Sequence, residues 1–195
     1  MHELDVNLQK TLKKAWNLIE NGALNRNSPF HCPAISTINA SGHPTSRTVV
    51  LRGLEQDDRT IRFHTDCRSS KFNELNNNPH IAFLFYDVGK KVQIRLEGKV
   101  TIHLNDITTS NFWAQSQRNS KICYAASRAP GTYVNKPPSA PLPTQEQLTK
   151  SYNNFCVILT KISKLEWLHL NSNGHKRAVF DWSSGVNCES SWVTP

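Results

Sequence analysis

Between Ala34 and Thr65, three runs rich in β-branched residues are joined by connections of only a few residues. This spacing constrains the fold more than any other feature of the chain. Ala34 to Ala40, Thr45 to Arg52 and Thr60 to Thr65 read as strands, and Ser41-Gly42-His43-Pro44 and the polar stretch from Gly53 to Arg59 read as turns. A parallel pair needs a crossover of about a dozen residues or more, so these strands must run antiparallel, as a meander.

The rest of the chain extends this pattern. In residues 4–20, Leu4, Leu8, Leu12, Ala15 and Ile19 recur at spacings of three and four, which predicts an amphipathic helix stopped by Asn21-Gly22. A short helix is expected over 69–77 and ends before Pro79. His80 to Tyr86 is nearly all apolar and predicts a central strand buried on both faces, while Lys91 to His103 predicts a long strand with a bulge or corner at Gly98. Asn105 or Asp106 should cap a helix reaching Gln117, with a second helix over 120–127. Residues 128–143 carry Pro130, Pro137, Pro138, Pro141 and Pro143 and read as an extended loop. Thr144 should cap a helix to Asn153, followed by strands at 155–162, 165–170 and 175–182, then a terminal loop anchored by Trp182 and Trp192. Seven or eight antiparallel strands with inserted helices predict an α+β barrel, in one domain over residues 1–195.

Composition removes several function classes. Among 195 residues there is no apolar run near the roughly 18 needed to span a membrane, and the first residues lack a basic-then-apolar secretory pattern. A cytoplasmic location is expected. Five scattered cysteines without a CxxC pair suit reduced thiols, and eight histidines without metal-ligand spacing give no metal site. The net charge of +8 favours an anionic partner. The basic residues are spread along the chain and form no basic helix, so the expected anion is a phosphorylated small molecule and not a nucleic acid.

The segment from Arg47 to Lys71 is where such an anion fits. Arg47 opens one strand, Thr65 ends another, and Ser69-Ser70-Lys71 begins a helix. A cation in a first helical turn opposes the macrodipole, and that local cost makes sense if Lys71 faces an anion that the helix N-terminus also attracts.

Over residues 30–182 the chain resembles the pyridoxamine 5′-phosphate oxidase family. Arg47 to Arg52 is similar to the family's Arg-x-x-x-x-Lys strand, His64-Thr65 to its Tyr-Thr, and Ser69-Ser70-Lys71 to its Ser-Arg-Lys. The run Gln93-Ile94-Arg95-Leu96-Glu97-Gly98 is similar to its Gln-Val-Arg-Val-Glu-Gly strand, and Trp167 and Arg177 to its C-terminal Trp and Arg. The resemblance implies an antiparallel split β-barrel with inserted helices that binds FMN at the interface of a homodimer. It implies cofactor contacts from Arg47, Thr48, Val49, Val50, Arg52, His64, Thr65, Ser70, Lys71 and Gln93, with Trp167 and Arg177 reaching across from the partner subunit.

At the substrate end the resemblance is broken. Arg52 replaces the family lysine, Phe112 takes a tyrosine position, Ser116 an arginine position, and Asn173 the arginine of an Arg-x-His pair. Ser120 and His175 are kept. The implied activity is hydride transfer from an amine or another small reduced substrate to FMN. Arg52, Ser120 and His175 would lie on the substrate and His175 would be the catalytic acid–base candidate. A non-catalytic FMN-binding module, or a flavin reductase-like protein, is the alternative that the missing arginines leave open.

Overall fold

The computed structural model describes residues 6–137, 139 and 142–195, so Leu4 of the predicted first helix and Pro138 and Pro141 of the proline-rich loop lie outside the described residues. Helix α1 covers Val6–Leu24 and buries Leu8, Ala15, Trp16 and Ile19, the predicted stripe with Trp16 added. It runs past the expected stop at Gly22. A Cβ on Gly22 would lie 2.6 Å from the carbonyl oxygen of Phe30, so this glycine lets the following loop close onto the helix instead of ending it. His31 Nδ1 donates to the Gly22 carbonyl at 2.8 Å across that approach.

Among the described residues, nine strands form one antiparallel sheet. In chain order they are β1 (Ala34–Ile38), β2 (Pro44–Thr48), β3 (Leu51–Glu55), β4 (Thr60–Asp66), β5 (His80–Asp87), β6 (Val92–Leu104), β7 (Phe155–His169), β8 (Lys176–Asp181) and β9 (Glu189–Val193). The pairing path is β2-β1-β5-β6-β7-β4-β3, with β8 on β7 and β9 on β8. Three predictions are corrected here. The single strand expected from Thr45 to Arg52 is two strands at opposite ends of that path, because Val49 and Leu51 turn away to donate to the Pro33 and His31 carbonyls at 3.0 and 2.9 Å. β5 alternates and is not buried on both faces: Leu84 is 43% and Tyr86 42% exposed, on the side away from the core. The terminal segment is not all loop, since Glu189–Val193 pairs with β8; the polar residues 183–188 before it hid a short strand.

β7 is continuous where two strands were expected. One edge takes the whole of β6, whereas the other takes β4 along 155–161 and β8 along 164–169. This fork splits the barrel. The register slips between Glu97 and Gly98, so the predicted bulge is present, and a Cβ on Gly98 would sit 2.5 Å from the Lys161 carbonyl oxygen.

Helix α2 (Ser70–Asn77) links β4 to β5. Helix α3 (Ile107–Gln115) starts at a capping box between Asp106 and Thr109, and α4 (Arg118–Ile122) is a single turn, shorter than expected. Helix α5 (Gln145–Lys150), capped by Thr144, continues as a 3-10 turn over Ser151–Asn154. The core lies between α1 and the concave sheet face. There Phe30 meets Phe85 at 5.2 Å, Phe63 meets Phe83 edge-on at 6.1 Å, and Trp16 meets Trp182 at 6.3 Å. No helix among the described residues is long and apolar enough to cross a membrane.

Candidate functional site

The structure sorts the predicted site residues into three groups. The first joins β2, the end of β4 and the start of α2. Lys71 Nζ donates to the Thr65 hydroxyl at 3.1 Å, and the Thr65 and Ser69 hydroxyls lie 3.3 Å apart. Ser69 is the N-cap of α2, yet its hydroxyl donates to the Asp66 carbonyl at 2.7 Å, so the first-turn N–H groups at Ser70 and Lys71 receive no side-chain cap. Lys71 makes no ion pair among the described residues. Burial, and then the nearby Arg47 charge, lower its pKa. A half-buried ammonium beside uncapped amides and two hydroxyls is the donor set that a phosphate dianion requires.

Arg47 is less free than the sequence suggested. Its Nη2 donates to Glu74 Oε2 at 2.9 Å and to the Thr45 hydroxyl at 2.9 Å, and its Nη1 donates to the buried Thr37 hydroxyl. Burial pushes the Glu74 carboxyl up, but hydrogen bonds from Thr37, Thr45 and Arg47 outweigh it and hold the group below its usual range. Arg47 therefore frames the cradle as half of an ion pair. Thr48 is exposed, Val49 has its side chain in the core, and Val50 lies in the connection that leads to β3.

The second group lies under α3. Arg52 stands at the β3 bulge, and His64 faces the helix from β4. Between them is Arg62, which sequence reasoning passed over. Its Nη2 donates to the Arg52 carbonyl at 2.7 Å and its Nη1 to His64 Nε2 at 2.8 Å, and its guanidinium carbon sits 3.7 Å from the centre of the Phe112 ring. His64 also meets Phe155 edge-on at 4.8 Å. Burial first, then Arg62 and Arg52, push the His64 pKa down to about 3. The imidazole thus stays neutral in the folded chain while the unfolded chain binds a proton below about 6.5. Stability should fall on acidification from about pH 6.5 toward 3, by at most ~1.4 kcal/mol per pH unit. His64→Phe should flatten urea-midpoint profiles across that window, and equal slopes in both proteins would refute the assignment.

The third group opens at the other end of the sheet. Trp167, His175 and Arg177 line a groove of about 710 Å³ that α1 completes with Lys10 and Lys14. Trp167 Nε1 and Arg177 Nε are buried there without a hydrogen-bond partner among the described residues, while Arg177 Nη2 donates to Glu166 at 2.8 Å. His175 Nδ1 accepts the Asn171 amide N–H at 3.1 Å, which leaves Nε2 as the protonated nitrogen of the neutral ring. Strand pairing sets Tyr86, Gln93, Leu168 and Arg177 in one row across the outer face, so Gln93 and Arg177 share a surface; Trp167 is one residue out of phase and packs inward. Ser120 is half-buried in α4.

Glu74, Ser69, Arg62, Lys10 and Lys14 were missed. Glu74 was legible in principle, three residues after Lys71 on a helix. Arg62 was not, because a charged residue in an alternating strand reads as a solvated face until a helix is known to cover it. Arg118 lines a groove with Lys121 and Tyr152, so the cation that meets Phe112 comes from the sheet and not from α4. No cluster of metal-binding side chains occurs among the described residues.

Residues 9–104 match the family model described as pyridoxamine 5′-phosphate oxidase, FMN-binding domain. Pyridoxine/pyridoxamine 5′-phosphate oxidase 2 of Arabidopsis thaliana is 25% identical over 193 residues, covering 92% of this chain and 94% of that protein. The pyridoxine/pyridoxamine 5′-phosphate oxidase of Cupriavidus taiwanensis is 34% identical over 89 residues, 46% of this chain and 41% of that protein. Among solved structures, a pyridoxamine 5′-phosphate oxidase-related, FMN binding protein from Nostoc punctiforme superposes with a TM-score of 0.74 at 20% identity, covering 94% of this chain and 96% of its own. PhzG from Burkholderia lata, solved with tetrahydrophenazine-1-carboxylic acid, superposes with a TM-score of 0.72 at 17% identity, covering 100% and 99%. These two likenesses establish the split-barrel fold. The sequence match places residues 9–104 in the FMN-binding domain of the pyridoxamine 5′-phosphate oxidase family.

Proposed function

We propose that residues 1–195 act as one FMN-dependent oxidoreductase domain that oxidises a small anionic amine or a similar reduced substrate, as a homodimer with the cofactor at the subunit interface. The observation that carries this reading is Lys71, a half-buried cation that forms no ion pair among the described residues and lies beside Thr65, Ser69 and the uncapped start of α2. Lys71, Thr65 and Ser70 hold the cofactor phosphate, and Arg47, Thr48, Val49, Val50, Arg52 and His64 frame the adjoining wall. Gln93 meets the polar edge of the ring system with its amide. Trp167 and Arg177 close the site from the other subunit; their orphaned Nε1 and Nε donors support a ligand there. The exposed Leu84, Tyr86 and Val193 on the outer face support burial against a second copy.

FMN, when bound, supplies the electron-pair acceptor. The chain's own residues do the rest. Arg52 and Ser120 orient the substrate, and His175, with its Nε2 turned from the Asn171 bond, moves a proton at the substrate's reacting end. A second reading is an FMN-binding module without turnover. It is favoured by Ser116, whose hydroxyl donates back to the Phe112 carbonyl at 2.7 Å and so faces its own helix. The test is anaerobic addition of pyridoxamine 5′-phosphate to the FMN-loaded protein. Bleaching of the flavin absorption, with peroxide released on aeration, is the expected result. A flavin that stays oxidised selects the module, and a protein that takes up no FMN overturns both readings.

A further inference from the structure

From Ile107 to Gln145 the chain carries Arg118, Lys121, Arg128 and Lys136 and no Asp or Glu. None of these four cations forms an ion pair among the described residues. Arg118 and Lys121 stand three residues apart on α4 and line one wall of a groove of about 490 Å³. Residues three apart on a helix are neighbours, so these two like charges repel. The other wall is α5, with Gln145 and Thr149; its one carboxylate, Glu146, is paired with Lys150 at 2.6 Å. The floor is apolar and held in place. Trp113 is wedged by Phe155 at 5.1 Å, Tyr152 at 5.7 Å and Tyr124 at 6.0 Å, and the Tyr152 hydroxyl is tied to that of Thr109 at 3.1 Å. No lining residue of this groove takes part in the cofactor or substrate contacts described above.

We propose that this groove is a docking site for a short acidic segment of another protein, one that carries a leucine-sized side chain between carboxylates. Arg118 offers a planar fork to one carboxylate and Lys121 a point charge to a second. The apolar side chain between them lies on Tyr152 and Leu148, and the Gln145 amide, which both donates and accepts, bonds to the segment's backbone. A nucleic acid fits less well. Base stacking needs an open ring face, and the Lys121 ammonium stands 5.1 Å over the Trp113 ring. A small acid also fits less well. Arg128 and Lys136 are exposed and continue the same charge along the loop that joins the two walls, where Tyr133 is fully exposed and Leu142 is 82% exposed. An extended segment reaches past the groove to these residues, and a small ligand does not. Because the floor is already fixed, the cost of ordering falls mainly on the incoming segment. The proposal does not depend on the oxidoreductase reading.

The test is fluorescence anisotropy of the full chain titrated against a short labelled peptide of aspartates and glutamates around one leucine. A control peptide with asparagine and glutamine in place of the acids should bind about tenfold more weakly or worse, and added salt should weaken the acidic peptide. The double variant Arg118→Glu, Lys121→Glu should lose about tenfold or more in affinity. The double variant Lys13→Glu, Lys99→Glu changes the net charge equally on α1 and β6 and should stay within about twofold of wild type. Thr149→Trp, which puts a ring into the groove without changing charge, should also weaken the peptide. If the Arg118 and Lys121 double variant melts below wild type, Arg118→Gln and Lys121→Gln carry the comparison. Equal affinity for the two peptides, no peptide binding, or an equal loss in the Lys13 and Lys99 variant overturns the proposal. Tighter binding of a labelled oligothymidylate, or of benzoate, that is lost in the Arg118 and Lys121 variant also overturns it and gives the groove to a nucleic acid or a small acid. Flavin content of the same samples is read separately, so failure here leaves the flavoprotein reading standing.

Discussion

Lys71→Met is expected to weaken FMN binding by about 10- to 150-fold, measured by quenching of flavin fluorescence on titration. One charge-assisted bond to phosphate contributes roughly 1.5–3 kcal/mol, and each 1.4 kcal/mol is a factor of ten. Lys71 should stand at the upper end of this range, because among the described residues its ammonium bonds to the Thr65 hydroxyl and to no carboxylate. The pH dependence has a definite sign. Burial, and then Arg47, lower the Lys71 pKa, with Asp66 and Glu74 acting weakly in the opposite sense. The charge that attracts phosphate is therefore lost earlier than for an ordinary lysine as pH rises. Wild-type affinity should decline on the alkaline side, and the Lys71→Met protein should bind weakly with a flatter profile. An unchanged dissociation constant in the variant would remove Lys71 from the cradle.

Gly98→Ala is expected to destabilise the fold by roughly 2–4 kcal/mol and to lower the melting temperature by about 5–12 °C. The new Cβ would meet the Lys161 carbonyl oxygen at 2.5 Å and Thr160 Cγ2 at 2.9 Å. The first contact is with backbone, which cannot rotate away, and it falls at the register slip between β6 and β7, the longest pairing in the sheet. Gly42→Ala is the control. It adopts φ +79° with nothing within 4 Å of a Cβ, so it should cost only about 1–2 kcal/mol from left-handed strain. If Gly98→Ala melts within a degree of the wild type, the close approach is not a constraint on the barrel.

The sequence carried the elements that local chemistry dictates. The stripe Leu8, Ala15, Ile19, the caps Asp106 and Thr144, and the bulge at Gly98 are all set by residues near in the chain, and all are present. What failed was long-range. Thr45 to Arg52 contains neither Gly nor Pro and carries Thr45, Thr48, Val49 and Val50 along it, so nothing local marks the break at Val49 where the chain leaves one end of the sheet for the other. Leu84 and Tyr86 look like core residues because apolar side chains are written alike whether they face the interior or an exposed surface. At the site, motif spacing placed Lys71 beside Thr65, but it could not reveal that Arg47 is held by Glu74 or that Arg62 lies on Phe112. Both depend on which helix covers which strand.

The break at Val49 also gives the chain a ruler. Arg47 belongs to β2 and Arg52 to β3, so one short backbone segment connects the phosphate cradle to the guanidiniums of Arg52 and Arg62. Five residues of extended chain reach at most roughly 17 Å, and hydrogen bonds to the 31–33 loop hold this segment taut at Val49 and Leu51. The residue count thus caps the separation of Arg47 from Arg52. Inserting one residue between them would either break the hydrogen bonds at Val49 and Leu51 or slip one of the two strands by a residue, which turns that strand's side chains to the opposite face. The distance between the group that anchors a cofactor and the group that anchors a substrate would then be an inherited length, open to change only by whole residues.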